Sequence, residues 1–397
     1  MEAKLVEVVE PSKDRVKPRC IHFGVCGGCQ LQLLPYEKQL EFKRQHVGDS
    51  LQRIGKIEDP PVNQIIGCEQ SFFYRNKMEF SFGYDNEMKF AAGLHMPNRR
   101  YDVLDLKECF LQSEFSVEIL HAVKNFAAEK KWKPFKYNFN EGLLRSLFVR
   151  EGKHTNEVMV NLVMGENLPE NFEKDLEELV KILVSLNCGD KKITSLYFSQ
   201  IISRRGIPKS VKERLLHGKK TLTEKMILKN GDCLEFDILP QAFFQVNTLQ
   251  GEILYEEVIN LATAAGTIGL FLAKHAKQVF GIEISPIASK AANENAKKNN
   301  IFNIDFYTGD VSKLINDIKE RPSLTVVDPP RQGLTQKIIK QISMFSPNQV
   351  IYVSCNPATF ARDVLWFKEY GYKLKTVTPV DMFPQTYHIE TVSLLER

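Results

Sequence analysis

The chain has 397 residues, 43% hydrophobic and 26% charged, with 53 Lys and Arg against 49 Asp and Glu for a net charge of +4. That length implies two or three domains, because single cores stop growing near ~250–300 residues. Near-balanced charge excludes a strongly basic or acidic tail protein, and no signal peptide or membrane-length apolar run is present, so a soluble, cytoplasmic, non-membrane protein is expected.

Residues 1–58 begin polar, pass through "RCIHFGVCGGCQLQ" and continue as "LPYEKQLEFKRQHVGDSLQRIG", whose apolar residues recur at helical spacing. Of the eight cysteines (20, 26, 29, 68, 109, 188, 233 and 355), three cluster here. Cys26 and Cys29 frame two glycines, which let one tight turn aim two thiolates at one metal, and Cys20 adds a third. Cys109, in the polar stretch "LDLKECFLQS", is the candidate fourth ligand. Four thiolates suit a zinc ion or an iron–sulfur cubane equally. Cys68, Cys188 and Cys233 have no such company and read as passive.

Residues 59–230 mix alternating segments such as "KMEFSFGY" and "EVMVNLVM" with amphipathic helices near "FSVEILHAVKNFAAEKKW" and "NFEKDLEELVKILVSL", the pattern of an α+β domain. Residues 231–397 alternate short apolar runs with helical segments, as βα units do, and predict an α/β domain with a parallel or mixed sheet flanked by helices.

Several strand ends in this last region carry chemistry. "VFGIEISPIASKAANENAKKNN" ends a strand on Glu283, 17 residues past Gly266, where Rossmann-like folds place an acid for ribose hydroxyls. "FYTGD" puts Asp310 at the next strand end. In "LTVVDPPRQGL" two prolines stop the ladder and hold Asp328 at the carboxyl edge of the sheet, with Arg331 suited to phosphate. "VIYVSCNPATFARD" places Cys355 before a helix starting at Asn356 or Pro357, a field expected to lower the thiol pKa and favour a nucleophilic thiolate. His388 and Glu390 form a polar cluster just ahead of the final strand "TVSLL".

"QAFFQVN", "DPPRQGL", "SCNPATFARD" and "DMFPQTYHIETVSLL", with the clustered cysteines, resemble the S-adenosylmethionine-dependent RNA 5-methyluridine methyltransferases over nearly the whole chain. The cysteine arrangement is similar to that of the iron–sulfur members acting on 23S ribosomal RNA. The resemblance implies a [4Fe-4S] cluster on Cys20, Cys26, Cys29 and Cys109, a Rossmann-like methyltransferase domain and an RNA partner. Ribosomal RNA is favoured and transfer RNA is the alternative. It also implies that Cys355 attacks C6 of uracil, that Glu390 removes the C5 proton, and that Gln245, Gly266, Glu283, Asp310 and Asp328 hold the cofactor. Arg75, Lys77, Arg145, Arg331 and Arg362 are candidate RNA contacts. With about 19 residues before Cys20, the N-terminal β-barrel of some ribosomal enzymes is expected to be absent, and the protein is expected to be a monomer.

"VINLATAAG" can be laid on the family's cofactor strand and turn, "V-L-D-L-Y-C-G-T-G", but Asn260 replaces an acid, Ala262 an aromatic residue and Ala264 a glycine. The turn also arrives about a dozen residues early, roughly one loop plus one strand. Either "GEILYEEVINLATA" is the helix before the strand and the strand itself is missing, or "VINLA" is the strand behind a shortened helix and linker. The good helix formers favour the missing strand. Two function classes follow, an active uridine C5-methyltransferase and a catalytically impaired RNA-binding homologue. A nicotinamide dehydrogenase lacks its complete glycine fingerprint here, and a purely structural zinc module explains none of the strand-end motifs.

Overall fold

In the computed structural model of the protein, the described residues are 7–97, 99, 102–136, 141–202, 210–261, 267–315, 318 and 320–397. The first element is helix α1 (Tyr36–Arg53), followed by strands β1 (Lys77–Tyr84), β2 (Phe90–His95) and β3 (Val103–Asp105), helix α2 (Glu114–Glu129), strands β4 (Leu144–Glu151) and β5 (Glu157–Met164), helix α3 (Phe172–Ser185), and strands β6 (Asn187–Cys188), β7 (Lys191–Ile202) and β8 (Ser210–Gly218). The central strands form one sheet in the order β3-β2-β1-β4-β5-β7-β6, with β8 also paired to β7. Met78, Phe80 and Phe82 alternate into its core, as a half-buried strand requires. Phe172, Leu176, Leu179 and Leu183 of α3 recur at helical spacing and cover the same core. Ser113 starts α2 by accepting the Ser116 N–H, satisfying an orphan donor of the first turn.

A hairpin of β9 (Leu222–Ile227) and β10 (Cys233–Ile238) straddles residue 230. Its apolar side chains Leu222, Met226, Leu234 and Phe236 pack with Leu254, Tyr255 and Phe271 further along the chain, so the hairpin shares the core of the C-terminal region.

That region runs through α4 (Thr248–Leu261), α5 (Thr267–Ala273), β11 (Val279–Glu283), α6 (Pro286–Lys298), β12 (Ile304–Thr308), α7 (Val311–Leu314), β13 (Leu324–Val327), α8 (Gln336–Phe345), β14 (Gln349–Ser354), α9 (Pro357–Glu369), β15 (Lys373–Val380) and β16 (Glu390–Glu396). Its strands form two sheets: parallel β11-β12, and mixed β13-β14-β16-β15. Val258 to Leu261 lie inside α4, and the next described element is α5; residues 262–266 lie outside the described residues. Among the described residues the sheet is interrupted between β11 and β13, where the missing-strand reading places the loss. Val350 to Ser354 of β14 are buried throughout, as expected for a strand covered on both faces, whereas Thr325 to Val327 of β13 and Phe280 to Glu283 of β11 are only half-buried.

The outer edge of β15 is covered rather than left open, because the Asn63 and Ile66 N–H groups donate to the Val377 and Pro379 carbonyls at 2.9 Å each. Helix α1 lies on the same half of the molecule, its Val47 and Leu51 buried in a core with Phe360, Phe367 and Tyr372. Among the described residues no helix is long and apolar enough to cross a membrane.

Candidate active site

Strand register brings Cys355 and Glu390 together. Ser354, the last residue of β14, pairs with Thr391 of antiparallel β16, so the next residue on one strand and the preceding one on the other face each other at the sheet edge. Parallel pairing of Val327 with Tyr352 brings the end of β13, and hence Asp328, to that same edge. Cys355, Glu390 and Asp328 thus share one site, although residues 328 and 390 are far apart in the chain.

The loops that carry them are tied to one another. Asn356 caps α9 by accepting the Ala358 N–H and uses its amide nitrogen to donate 3.0 Å to the Arg331 carbonyl. The Thr359 hydroxyl donates to that carbonyl at 3.2 Å. Asp363, fully buried, accepts from the Leu334 N–H and the Tyr352 hydroxyl at 2.6 Å each. Arg362 is also committed to this brace: it bonds Asp363 and donates to the Gln332 and Leu334 carbonyls, so the RNA contact expected of it gives way to a structural role. Arg145 is buried with its guanidinium carbon 3.5 Å from the Phe135 ring centroid, and it too is withdrawn from RNA.

Electrostatics at the site run against the helix-field expectation for the thiol. Burial pushes the Cys355 pKa up, the Glu390 and Asp328 carboxylates push it further, and Arg331 opposes them. One helix terminus does not outweigh desolvation and two acids, so the thiol is the resting form. Burial, followed by repulsion from Asp328, raises the Glu390 carboxyl to about 8. Asp328 stays open to the crevice, yet surrounding protein still pushes its carboxyl up to about 6.

Arg331, exposed, places its guanidinium 3.4 and 3.3 Å from the two ring nitrogens of His388. Burial, then Arg331, holds His388 down near 4, so the ring is neutral beside the guanidinium. Lys77, over the Phe148 ring, is lowered to about 8 by burial and by Arg150, while Arg75 spends its Nε on the Lys77 carbonyl.

The remaining acids lie at the strand ends of the β11–β12 sheet. Glu283 closes β11 and accepts the Ser285 N–H at 2.8 Å. Asp310, exposed, caps α7 by accepting the Ser312 N–H at 2.8 Å. Gln245 bonds the Tyr255 hydroxyl through its side chain, and its carbonyl accepts from Asn76 at 2.8 Å. Two carboxylates at neighbouring strand ends suit the hydroxyls and amino group of an adenosine, so the chemistry of these residues fits S-adenosylmethionine. Gly266 lies outside the described residues.

At the cysteine segment, the Gly28 N–H donates to Cys26 Sγ at 3.3 Å and the His22 N–H to Cys20 Sγ at 3.4 Å, the bonds that stabilise a ligating thiolate. Cys109 bears electrostatically on Cys20, Cys26 and Cys29, and burial raises all four thiols, Cys29 to about 12. Such thiols ionise when a cation takes their protons' place. No set of three His, Cys, Asp or Glu side chains among the described residues is closed to metal-ligand geometry, so the four are neighbours rather than a finished cage. The sulfur hydrogen bonds orient the donors.

Four residues beside this site, Lys43, Asp381, Tyr36 and Gln385, carried no sequence signal. Lys43 and Asp381 form a fully buried pair at 2.6 Å, and the Tyr36 hydroxyl donates to the same carboxylate at 2.9 Å. The Gln385 carbonyl accepts the Gln30 and Leu31 N–H groups at 3.0 Å each, linking the cysteine segment to the loop that leads to Glu390.

A sequence profile described as tRNA (uracil-5-)-methyltransferase matches residues 35–397. The chain is 36% identical over 425 aligned positions to an uncharacterized RNA methyltransferase of Bacteroides thetaiotaomicron, covering 100% of this chain and 91% of that protein. It is 38% identical over 412 positions to one of Caldanaerobacter subterraneus, covering 100% and 88%. Among solved structures, the Pyrococcus abyssi tRNA (uracil-54, C5)-methyltransferase, in complex with S-adenosyl-L-homocysteine, superposes with a TM-score of 0.73 at 29% identity, covering 98% of this chain and 88% of that one.

Proposed function

The chain belongs to the tRNA (uracil-5-)-methyltransferase family, with its Rossmann-like methyltransferase fold, and from that premise we propose that it forms 5-methyluridine in RNA, with Cys355 as nucleophile and Glu390 as base. The observation that carries this assignment is the β14–β16 register that sets the two side chains at one sheet edge beside Asp328. We assign the cofactor to Gln245, Glu283, Asp310 and Asp328, and S-adenosylmethionine supplies, when bound, a methyl group on a cationic sulfur.

Cys355 Sγ gives up its proton to solvent at the open edge of the crevice and, as the thiolate, bonds to C6 of uracil, and the C5=C6 electron pair moves toward C5 and O4 as an enolate. C5 then takes the methyl group as the bond from that methyl to the cationic sulfur breaks, leaving a neutral thioether. Glu390, once ionised, removes the C5 proton, and the C–H pair re-forms C5=C6 and expels the Cys355 thiolate. A uridine within folded RNA must be unstacked to present C6, so the base is flipped into the crevice. The four cysteines 20, 26, 29 and 109 hold a [4Fe-4S] cluster in this account. Metal analysis of anaerobically purified protein should find iron, and zinc in its place would overturn that assignment.

The substrate favoured by the cysteine arrangement is 23S ribosomal RNA. Labelled S-adenosylmethionine, incubated with 23S and transfer RNA transcripts and followed by nucleoside analysis, should yield 5-methyluridine in the ribosomal RNA. Label in transfer RNA alone would move the substrate to the class acted on by the Pyrococcus abyssi enzyme. The interrupted sheet favours a second reading, an RNA-binding homologue with an incomplete cofactor crevice. A folded protein that binds both RNAs and methylates neither would establish it.

A further inference from the structure

Beside the cysteine segment, one cation sits among three phenyl rings. The guanidinium carbon of Arg19 lies 4.3 Å from the Phe110 ring centroid, 5.1 Å from that of Phe72 and 5.2 Å from that of Phe73. Phe72 and Phe73 meet Phe110 edge-on, at 81° and 76°, so the three rings form a cage rather than a stack. Such a cage holds the guanidinium plane through its quadrupoles but satisfies none of its five N–H donors. Arg19 is exposed, and among the described residues it has no carboxylate or carbonyl partner. The nearby Glu108 carboxylate accepts the Ile21 N–H at 2.8 Å instead.

The cage is built at a cost. Phe73 has a φ of 56°, a left-handed conformation that a bulky residue rarely adopts. It is held on both sides, its N–H donating to the Phe110 carbonyl at 2.7 Å and its carbonyl accepting from Lys153 Nζ at 3.0 Å. Strain maintained in this way marks positions where a side chain must point in one direction.

Residues 71–76 also connect the cage to the active site. The Gln385 side chain donates to the Ser71 carbonyl at 3.4 Å, and the Tyr74 hydroxyl donates to the Pro384 carbonyl at 3.0 Å. The Asn76 N–H donates to the Val246 carbonyl at 2.7 Å. At about 3.3–3.6 Å per extended residue, the cage lies within a few residues' reach of the segments carrying Gln245 and Glu390.

We propose that Arg19, held by Phe72, Phe73 and Phe110, is a phosphate-binding residue for the RNA strand leading into the active site. A planar fork of donors, ordered in advance and left unpaired, matches a phosphodiester. The inference rests on the reading of RNA as substrate.

The test is fluorescence anisotropy of the full-length protein with a labelled uridine-rich single-stranded RNA over a salt series. Arg19→Met keeps the apolar stem on the rings and removes the charge. It should weaken binding at low salt by roughly threefold, and make the slope of log affinity against log salt shallower by about 0.7, the share of one phosphate contact. Arg19→Lys should restore the slope. If Arg19→Met fails to fold by circular dichroism, Arg19→Gln carries the same expectation. Unchanged affinity and slope in the folded neutral variant would overturn the proposal while leaving the RNA substrate intact. Wild-type protein without salt-dependent RNA binding would overturn both.

Discussion

Glu390 carries opposite demands: it must be an ionised base during turnover, yet its surroundings hold its proton. Its folded carboxyl sits at about 8 against an ordinary 4.5, so between those values the folded protein binds more protons than the unfolded chain. Stability therefore falls as pH rises through that window. The melting temperature of the wild type should decline more steeply from about pH 5 to about pH 8 than that of Glu390→Gln, which has no proton to lose; parallel curves would contradict the burial of this carboxyl. Glu390, Cys355 and Asp328 were legible in the sequence because each stands at a strand end within a distinctive motif. The direction of the Cys355 shift was not, since it depends on carboxylates from two other strands. Asp363 gave no signal either, because its work is to receive Leu334 and Tyr352 from other segments.

Among the elements, the interval between β11 and β13 separates the two readings of the cofactor crevice. Each buried ladder group left unpaired costs roughly 1–3 kcal/mol, so backbone amides facing the interval should open readily. In hydrogen exchange, residues 279–283 and 324–327 should exchange faster than 350–354, and S-adenosylmethionine should slow the first two stretches if the crevice closes on it. Exchange unaffected by the cofactor would support the impaired reading. The long helices α1, α2 and α3 and strands β1 and β5 were readable because their periodicity is strong and local. The β9–β10 hairpin was harder to place, since only packing against Leu254 and Phe271 joins it to the region that follows.

At the scale of the whole molecule, the N-terminal segment clamps the C-terminal active-site loop. Lys43 of α1 and Asp381 are fully buried partners, and Gln39 and Gln385 add a side-chain bond at 3.0 Å. Removing one member of a buried pair strands the other charge, so Lys43→Met should lower unfolding free energy by ~3–5 kcal/mol in urea titration. A loss under about 1 kcal/mol would mean that water reaches Asp381 once the lysine is gone. Sequence periodicity conveys nothing of this clamp, because residues 43 and 381 meet only when both ends of the chain have folded. The most direct test of the catalytic assignment is mass spectrometry of the protein incubated with S-adenosylmethionine and RNA containing 5-fluorouridine, whose C5 substituent cannot leave as a proton. A covalent protein–RNA adduct through Cys355 is expected, and it should disappear in Cys355→Ala. An adduct that persists in Cys355→Ala, or a folded, RNA-binding wild type that forms none, would contradict the assignment.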